Sequence, residues 1–172
     1  RFTQFVVAAS LQAVEAARLI IDDNNADETG VFIGNSTCGL LEVSDQFKIL
    51  DEAGPRMISP ILAPTMTGDA APVQVSLLLG TKGPNYAISS ACSSSSDSIG
   101  HAYDTIRYGE AKVMIAGGTE APVMPICVAA FNAARALSTK NDNPQTACRP
   151  FDAERDGFVL GEGAGILIFE EY

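Results

Sequence analysis

Short apolar runs alternate with longer segments of helical periodicity along this chain. The apolar runs predict five short strands, at residues 31–34, 85–89, 112–116, 158–160 and 166–169. Apolar residues at helical spacing predict helices over residues 2–21, 40–50, 65–79, 92–109 and 126–136. Strands that are apolar throughout are typical of a sheet covered on both faces. The pattern therefore predicts an α/β fold with a mostly parallel sheet.

Cys92 lies at a predicted corner, where the strand 85–89 ends and a helix begins that runs to Gly109. The unpaired N–H groups and the positive dipole end at a helix start would favour a negatively charged sulfur. The neighbouring residues, Ala91 and the serines 93–96, are small enough to let a substrate approach. A single cysteine is more often a small buried apolar residue, and a serine run can be a linker. A position among consecutive serines at a predicted helix start disfavours a buried cysteine, and the helical periodicity directly after the serines disfavours a linker.

His101 cannot serve the Cys92 sulfur. It follows Cys92 by nine residues, which is about 13 Å of rise along one helix. A Cys–His nucleophile pair therefore cannot be completed within this chain. Any catalytic histidine is expected to come from outside residues 1–172.

Two further segments carry charged or glycine-rich patterns of low specificity. Residues 161–165, GEGAG, lack the GxGxxG spacing and the lysine of a phosphate loop, so they predict a turn or kink between strands. The charged residues of the segment 152–156 predict a solvated loop whose ion pairs each contribute little to stability. A structural role for this segment stays open.

Composition limits the partners and the setting. The net charge of −10 disfavours nucleic acid and anionic membranes, so an acidic partner would need a local basic patch. No apolar run reaches the roughly 18–20 residues of a membrane span. The cysteines are far apart, and with one histidine they predict free thiols in a reducing, cytoplasmic setting rather than a zinc or other metal site. They are Cys38, Cys92, Cys127 and Cys148.

Two long stretches resemble one known family. GPNYAISSACSSSSDSIGHAYDTIRYGEAKVMIAGGTEA resembles the active-site region of elongating 3-oxoacyl-(acyl carrier protein) synthases. AARALSTKNDNPQTACRPFDAERDGFVLGEGAGILIFEEY resembles the second hallmark stretch of these condensing enzymes. The resemblance implies a thiolase-like fold of two similar α/β halves, each with a five-stranded, mostly parallel sheet and helices on both faces. The chain resembles most of the N-terminal half, as a single domain over residues 1–172, with the C-terminal half absent.

The resemblance also implies roles for individual residues. Cys92 matches the nucleophile that takes the acyl group, and its own N–H matches one donor to the thioester oxygen. The remaining matches are substrate-binding residues (Thr37, Leu62, Phe131) and residues that bind the acidic acyl carrier protein (Arg56, Arg135). Many relatives carry a bulkier apolar residue where Thr37 stands, so the pocket is expected to be longer or altered in preference. The family's two catalytic histidines and a lysine belong to the second half.

The implied activity is decarboxylative condensation of a malonyl thioester with an acyl group on Cys92, in fatty-acid or polyketide synthesis. The expected enzyme is a cytoplasmic homodimer that works on acyl and malonyl thioesters without a cofactor of its own, because the acyl carrier protein carries the phosphopantetheine. No nucleic-acid or membrane partner is expected, and residues 1–172 alone are expected to be inactive. One alternative is a catalytically incomplete fragment or scaffold subunit. Another is a thiolase or other thioester transferase, which the RPFD…GEGAG run disfavours.

Overall fold

The computed structural model describes all residues from Arg1 to Tyr172. The chain divides into two compact units, one formed by Arg1–Ala121 with Gly163–Tyr172, the other by Pro122–Glu162. The assignment of residues 1–172 to a single domain stays a prediction. None of the helices combines the length and the apolar character needed to cross a membrane.

The first unit holds one sheet and five α-helices. Its strands are β1 (Thr29–Gly34), β2 (Asn85–Ile88), β3 (Val113–Glu120) and β4 (Gly163–Glu170). Its helices are α1 (Phe2–Ala17), α2 (Leu40–Ala53), α3 (Leu62–Thr65), α4 (Ala70–Leu79) and α5 (Ser94–Arg107). The strand order is β2-β1-β3-β4, with parallel pairing except between β3 and β4. The predicted α/β class with a mostly parallel sheet is confirmed.

Helices cover both faces of this sheet, as predicted. On one face, α1 and α4 pack against inward residues of the strands in a first apolar cluster; its buried members include Phe2, Val6, Val31, Ile33, Val75 and Ile115. On the other face, α5 packs in a second cluster; its buried members are Phe32, Ala102, Ala111, Met114 and Ala116. Consecutive residues of β1 thus serve opposite faces, which is why its apolar run is continuous rather than alternating.

The prediction of five strands is wrong, because the sheet has four. Residues 158–160 form only an isolated bridge between Leu137 and Phe158. The N–H of Phe158 donates to the carbonyl of Ala136 and its carbonyl accepts from Ser138, both at 3.0 Å. This pairing joins Phe158 to a loop, so no ladder extends beyond it.

The prediction of a turn or kink at residues 161–165 is wrong for its second half, since β4 begins at Gly163. Gly165 lies opposite Gly118 in the antiparallel pairing of β3 and β4. A side chain at Gly117 would overlap the carbonyl oxygen of Gly165, so the glycines allow the two backbones to approach. The glycine-rich run therefore serves close strand packing.

Several helix ends also differ from the predicted ones. α1 ends at Ala17, because Arg18 adopts a left-handed conformation with φ 54° and its N–H caps the carbonyl of Glu15. The predicted helix over residues 65–79 is interrupted, and α4 begins only at Ala70. In the second unit, the helix predicted at 126–136 is α6, Pro125–Ala133.

Candidate active site

Cys92 lies at the predicted strand-to-helix corner. β2 ends at Ile88, a single 3₁₀ turn spans Ala91–Ser93, and α5 begins at Ser94. Ala91 has φ 55°, a left-handed conformation that is uncommon for a residue with a side chain. The Cys92 side chain is exposed. A sharp, strained turn of this kind presents the residue that follows it to solvent.

The serines around Cys92 build the corner rather than a flexible linker. The hydroxyl of Ser94 donates to the carbonyl of Ala91 at 2.7 Å and accepts from the N–H of Ser90 at 2.9 Å. The hydroxyl of Ser93 donates to the carbonyl of Ser90 at 2.9 Å. These short side chains replace backbone partners that are missing at a helix start.

One backbone donor at the corner stays unused. The N–H of Ser93 donates to the carbonyl of Ser90, whereas the N–H of Cys92 forms no hydrogen bond with another residue. An unpaired N–H beside an exposed sulfur can donate to an oxygen of a bound group. The corner therefore offers a nucleophilic atom and a hydrogen-bond donor on the same residue.

Two glycines allow the start of α5 to approach the carboxyl ends of β1 and β3. Gly34 and Gly118 lie opposite each other in the parallel pairing of these strands. A side-chain carbon at Gly34 would overlap the backbone carbonyl of Ser94. One at Gly118 would lie 2.6 Å from the Cβ of Ser95. The corner is thus placed at the sheet edge where sites in parallel sheets form.

The loop of residues 35–39 leaves β1 at the same edge and is fixed by Glu120, the last residue of β3. The Oε2 atom of Glu120 accepts from the N–H of Ser36 (2.8 Å), the hydroxyl of Ser36 (2.9 Å) and the N–H of Thr37 (3.0 Å). The Oε1 atom accepts from the hydroxyl of Thr37 at 2.5 Å. One carboxylate thus orients two consecutive residues of loop 35–39.

The surroundings of Glu120 favour its charged form. Partial burial raises the pKa of the carboxyl, but the hydrogen bonds from Thr37 and Ser36 outweigh it and hold the pKa below its ordinary value. The nearby Cys38 shows the opposite effect. Burial, followed by the negative charges of Glu120 and Asp69, raises the pKa of the Cys38 thiol. Loop 35–39 therefore contains a stable carboxylate and a thiol that stays protonated at neutral pH.

The other two predicted site residues of the first unit, Leu62 and Arg56, are distant from Cys92 in the sequence. Leu62 begins α3, is half-buried, and borders a cavity of about 200 Å³. The segment after α3 contacts loop 35–39, because the N–H of Gly39 donates to the carbonyl of Met66 at 3.2 Å. Arg56 is exposed in a 3₁₀ turn that follows α2.

Phe131 and Arg135 belong to the second unit. Phe131 lies on α6 and packs edge-on against Phe158, with ring centroids 5.2 Å apart. Arg135 is exposed in the turn that follows, with φ 54°. The roles assigned to these two residues, like those of Cys92 and the residues of the first unit, stay predictions.

The charged segment 152–156 is held by hydrogen bonds rather than by the predicted ion pairs. Asp156 accepts from the hydroxyl of Ser138 (2.6 Å) and from the N–H and hydroxyl of Thr139 (2.9 and 3.1 Å). The hydrogen bond from Ser138, followed by that from the N–H of Thr139, holds the pKa of Asp156 below its ordinary value. Its role is thus to fix the loop at residues 138–139.

His101 is exposed on α5, and its carbonyl accepts from the hydroxyl of Thr105. It lies in the same helix as the residues after Cys92, more than two turns along, as predicted. His101 borders a surface cavity together with Asp104 and Tyr108.

Sequence reasoning missed Glu120, although a signal for it exists. An acidic residue that directly ends a long buried run marks the carboxyl end of a strand, where functional groups gather. Its partners Ser36 and Thr37 are more than 80 residues away in the chain. Only the pairing of β1 with β3 shows which loop it contacts.

Comparison with known proteins gives a consistent family assignment. The profile of the beta-ketoacyl synthase N-terminal domain matches residues 1–172. The chain is 49% identical over 170 residues to a 3-oxoacyl-[acyl-carrier-protein] synthase 2 of Staphylococcus aureus (strain N315), covering 99% of this chain and 41% of that protein. It is also 49% identical over 171 residues to the enzyme of the same name from Synechocystis sp. (strain ATCC 27184 / PCC 6803 / Kazusa), with the same coverage.

Solved structures agree with this assignment. A type II PKS acyl-carrier protein in complex with its ketosynthase contains a chain that matches with a TM-score of 0.94 at 32% identity, over 99% of this chain and 43% of that one. A beta-ketoacyl synthase from Burkholderia phymatum STM815 matches with a TM-score of 0.88 at 38% identity, over 100% of this chain and 42% of that one. The predicted thiolase-like fold is confirmed by these neighbours. The chain spans about two fifths of the length of the curated relatives that it matches.

Proposed function

Because the chain belongs to the beta-ketoacyl synthase family, whose N-terminal domain it matches over residues 1–172, we propose that it carries the nucleophile of a 3-oxoacyl-(acyl carrier protein) synthase. The observation that carries the proposal is the corner at Cys92. An exposed sulfur, an unpaired N–H on the same residue and the start of α5 coincide there. A thioester carbonyl needs such a combination, since its oxygen gains negative charge as sulfur attacks its carbon.

The proposed reaction has two stages. In the first, the Cys92 sulfur bonds to the acyl carbon, the bond from that carbon to the phosphopantetheine sulfur breaks, and the Cys92 proton ends on the released thiol. In the second, a malonyl thioester loses carbon dioxide, and the electron pair of the broken bond stays on the adjacent carbon. That carbanion attacks the Cys92 thioester, and the Cys92 sulfur leaves as a thiolate.

The chain itself supplies no histidine to Cys92, because His101 is exposed more than two helical turns along α5. We propose that the acid and base groups of the second stage come from sequence outside residues 1–172. The alternative of a non-catalytic scaffold subunit rests on this same absence. It predicts a Cys92 that stays unmodified in the presence of an acyl thioester.

The proposed partner is an acyl carrier protein, which brings its phosphopantetheine with it. The solved ketosynthase similar to this chain is in complex with such a carrier. Arg56 and Arg135 are exposed and could pair with its acidic residues in spite of the net charge of −10. We further propose a cytoplasmic homodimer. The open edge of β2, where Tyr86 is 62% exposed, supports a second copy as partner.

The first experiment tests the nucleophile. The protein that carries this chain, expressed as its gene encodes it, is incubated with an acyl carrier thioester and analysed by mass spectrometry. We expect one acyl group on Cys92 and none in the Cys92→Ala variant. Cys148→Ala is the matched control, because Cys148 is also a free, exposed cysteine, and it should acylate normally. An unmodified Cys92 together with full turnover by Cys92→Ala would reject the proposal.

A second experiment tests carrier binding. We expect Arg56→Glu to slow acylation by an acyl carrier thioester, most strongly at low salt, and to leave acylation by a free acyl-pantetheine unchanged. Arg18→Glu is the control, since Arg18 is another exposed arginine. Equal effects on the carrier-bound and the free substrate would show that Arg56 acts on the site rather than on the carrier.

A further inference from the structure

The proposed reaction assigns no role to Glu120. It is a half-buried carboxylate at the end of β3, and its hydrogen-bond partners belong to Ser36 and Thr37. Three donors converge on Oε2, while Oε1 is reserved for the hydroxyl of Thr37. Its charge is therefore balanced by hydrogen-bond donors of loop 35–39 alone.

The contacts of Glu120 fix the orientation of the Thr37 side chain. The N–H and the hydroxyl of Thr37 both bind the same carboxylate, at 3.0 and 2.5 Å. These two atoms are separated by the bond whose rotation defines χ1, so binding both restricts that rotation and excludes the rotamer in which the hydroxyl is anti to the N–H. In a staggered threonine the methyl group points about 120° away from the hydroxyl. Glu120 thus binds the hydroxyl of Thr37, and the methyl group points in a different direction.

Loop 35–39 is close to the nucleophile corner. Gly34 touches the backbone of Ser94, and Thr37 follows Gly34 by three residues. Three Cα–Cα steps span at most about 11 Å. On the other strand, Gly118 lies against Ser95 and precedes Glu120 by two residues. The Thr37 side chain and its carboxylate partner therefore lie at the sheet edge that also holds the start of α5.

We propose that Glu120 is a positioning residue that selects acyl chains, by holding the hydroxyl of Thr37 away from the acyl chain and presenting its methyl group instead. The proposal rests on the proposed function, in which an acyl group is bound to Cys92, and on the substrate-binding role that the resemblance implies for Thr37. It explains how a polar residue can line an apolar channel. The hydroxyl is paired before the substrate arrives, so a long acyl chain meets no unpaired polar atom at position 37.

The test compares the acylation rates of Cys92 with tetradecanoyl-pantetheine and butanoyl-pantetheine, in the gene-encoded protein and its variants. In Glu120→Ala the Thr37 hydroxyl loses its partner and turns freely. The long-to-short rate ratio is expected to fall about tenfold, the order of burying an unpaired hydroxyl against an alkyl chain. In the Thr37→Val, Glu120→Ala double variant no hydroxyl remains, and we expect the ratio to return to the wild-type value.

Two more variants separate positioning from general structure. Glu120→Gln can keep three bonds on its amide oxygen while its amide nitrogen donates to the Thr37 hydroxyl, so the ratio should stay near wild type. It also covers the case in which Glu120→Ala does not fold. Ser36→Ala is the matched control, because it removes a hydroxyl from the same carboxylate without freeing Thr37.

The outcomes are distinct. A fall in the ratio with Glu120→Ala that Thr37→Val reverses supports the proposal. An equal loss of rate for both substrates, or a ratio that Thr37→Val does not restore, rejects it and leaves Glu120 a structural residue. If Glu120→Ala does not fold, a tenfold change of the ratio in Glu120→Gln, with Ser36→Ala unchanged, rejects it as well, and an unchanged ratio in both supports it. Failure of the proposed function looks different, since the wild-type protein would then acylate with neither substrate.

Discussion

Two loops of this chain are each fixed by one carboxylate, and the two carboxylates differ mainly in exposure. Glu120 accepts four hydrogen bonds from Ser36 and Thr37 and is half-buried. Asp156 accepts three, from Ser138 and Thr139, and is exposed. Both carboxyl groups have a pKa below the ordinary value for hydrogen-bonding reasons. The same local chemistry is thus used in two environments.

The difference in exposure decides what each carboxylate contributes. When a partner is removed at an exposed site, water replaces it and the net loss is small. When a donor is partly buried, as the N–H and hydroxyl of Thr37 are, it loses a partner without gaining water, and the loss approaches the full cost of desolvation. Glu120 should therefore matter for the stability of the first unit, whereas Asp156 should matter mainly for local order in the second.

The largest expected effect is that of Glu120→Ala on stability. Four hydrogen bonds are lost, but the donors of Ser36 are exposed and can bind water. Most of the loss therefore comes from Thr37, and we expect the free energy of unfolding to fall by about 1–3 kcal/mol. Denaturant unfolding of the gene-encoded protein measures this value. Asp156→Ala should cause a clearly smaller loss. Equal losses in the two variants would remove the distinction between the two carboxylates.

A double-mutant cycle sharpens the comparison within the Glu120 site. Thr37→Val removes the hydroxyl that lies 2.5 Å from Oε1 and keeps the shape of the side chain. We expect a coupling free energy between Thr37→Val and Glu120→Ala of about 1 kcal/mol, measured by denaturant unfolding of the four proteins. The same cycle with Ser36→Ala should give a smaller value, because Ser36 is exposed. A larger coupling for Ser36 would contradict the assignment of Thr37 as the main partner.

Much of the fold and the position of Cys92 at a strand-to-helix corner could be predicted from the sequence. Strand-to-helix order, helices on both faces and the placement of Cys92 follow from local patterns, because apolar runs and turn residues act over a few positions. The resemblance supplied the roles of the site residues, which no local pattern could supply. These include the polar Thr37, whose carboxylate partner the resemblance did not reveal.

The parts that could not be predicted depend on long-range pairing. Residues 158–160 look like a strand, but their partner is a loop, so the strand count was too high. GEGAG looks like a turn, yet the approach of Gly117 to Gly165 places part of it in β4. Glu120 and Thr37 meet only because β1 pairs with β3 in one register. Composition and spacing hold no information about such partners.

The next effect in size is a pH dependence of the Glu120 contribution. The folded-state pKa of Glu120 is lowered, so its contribution is fully present above the unfolded-state pKa of about 4.3 and is lost as the pH falls through the lower folded-state pKa. Glutamine at this position does not titrate. We expect the thermal midpoints of wild type and Glu120→Gln to differ most above about pH 5 and to converge at lower pH. A gap that widens on acidification would show that the sign is wrong.

The smallest expected effect is that of Asp156→Asn, and it is local. Oδ1 and Oδ2 of Asp156 bind Ser138 and Thr139 respectively, so a single amide oxygen cannot serve both. The donors it leaves are exposed and can bind water, so the thermal midpoint should stay nearly unchanged while the amide hydrogen of Thr139 exchanges faster. Hydrogen exchange read by mass spectrometry on the peptide around Thr139 measures this. Asp152→Asn is the control, because Asp152 accepts from the N–H of Glu154 and not from the loop at residues 138–139. A loss of stability as large as that of Glu120→Ala would contradict this expectation. It would mean that hydrogen-bond geometry, rather than exposure, determines how much such a carboxylate contributes to the free energy of unfolding.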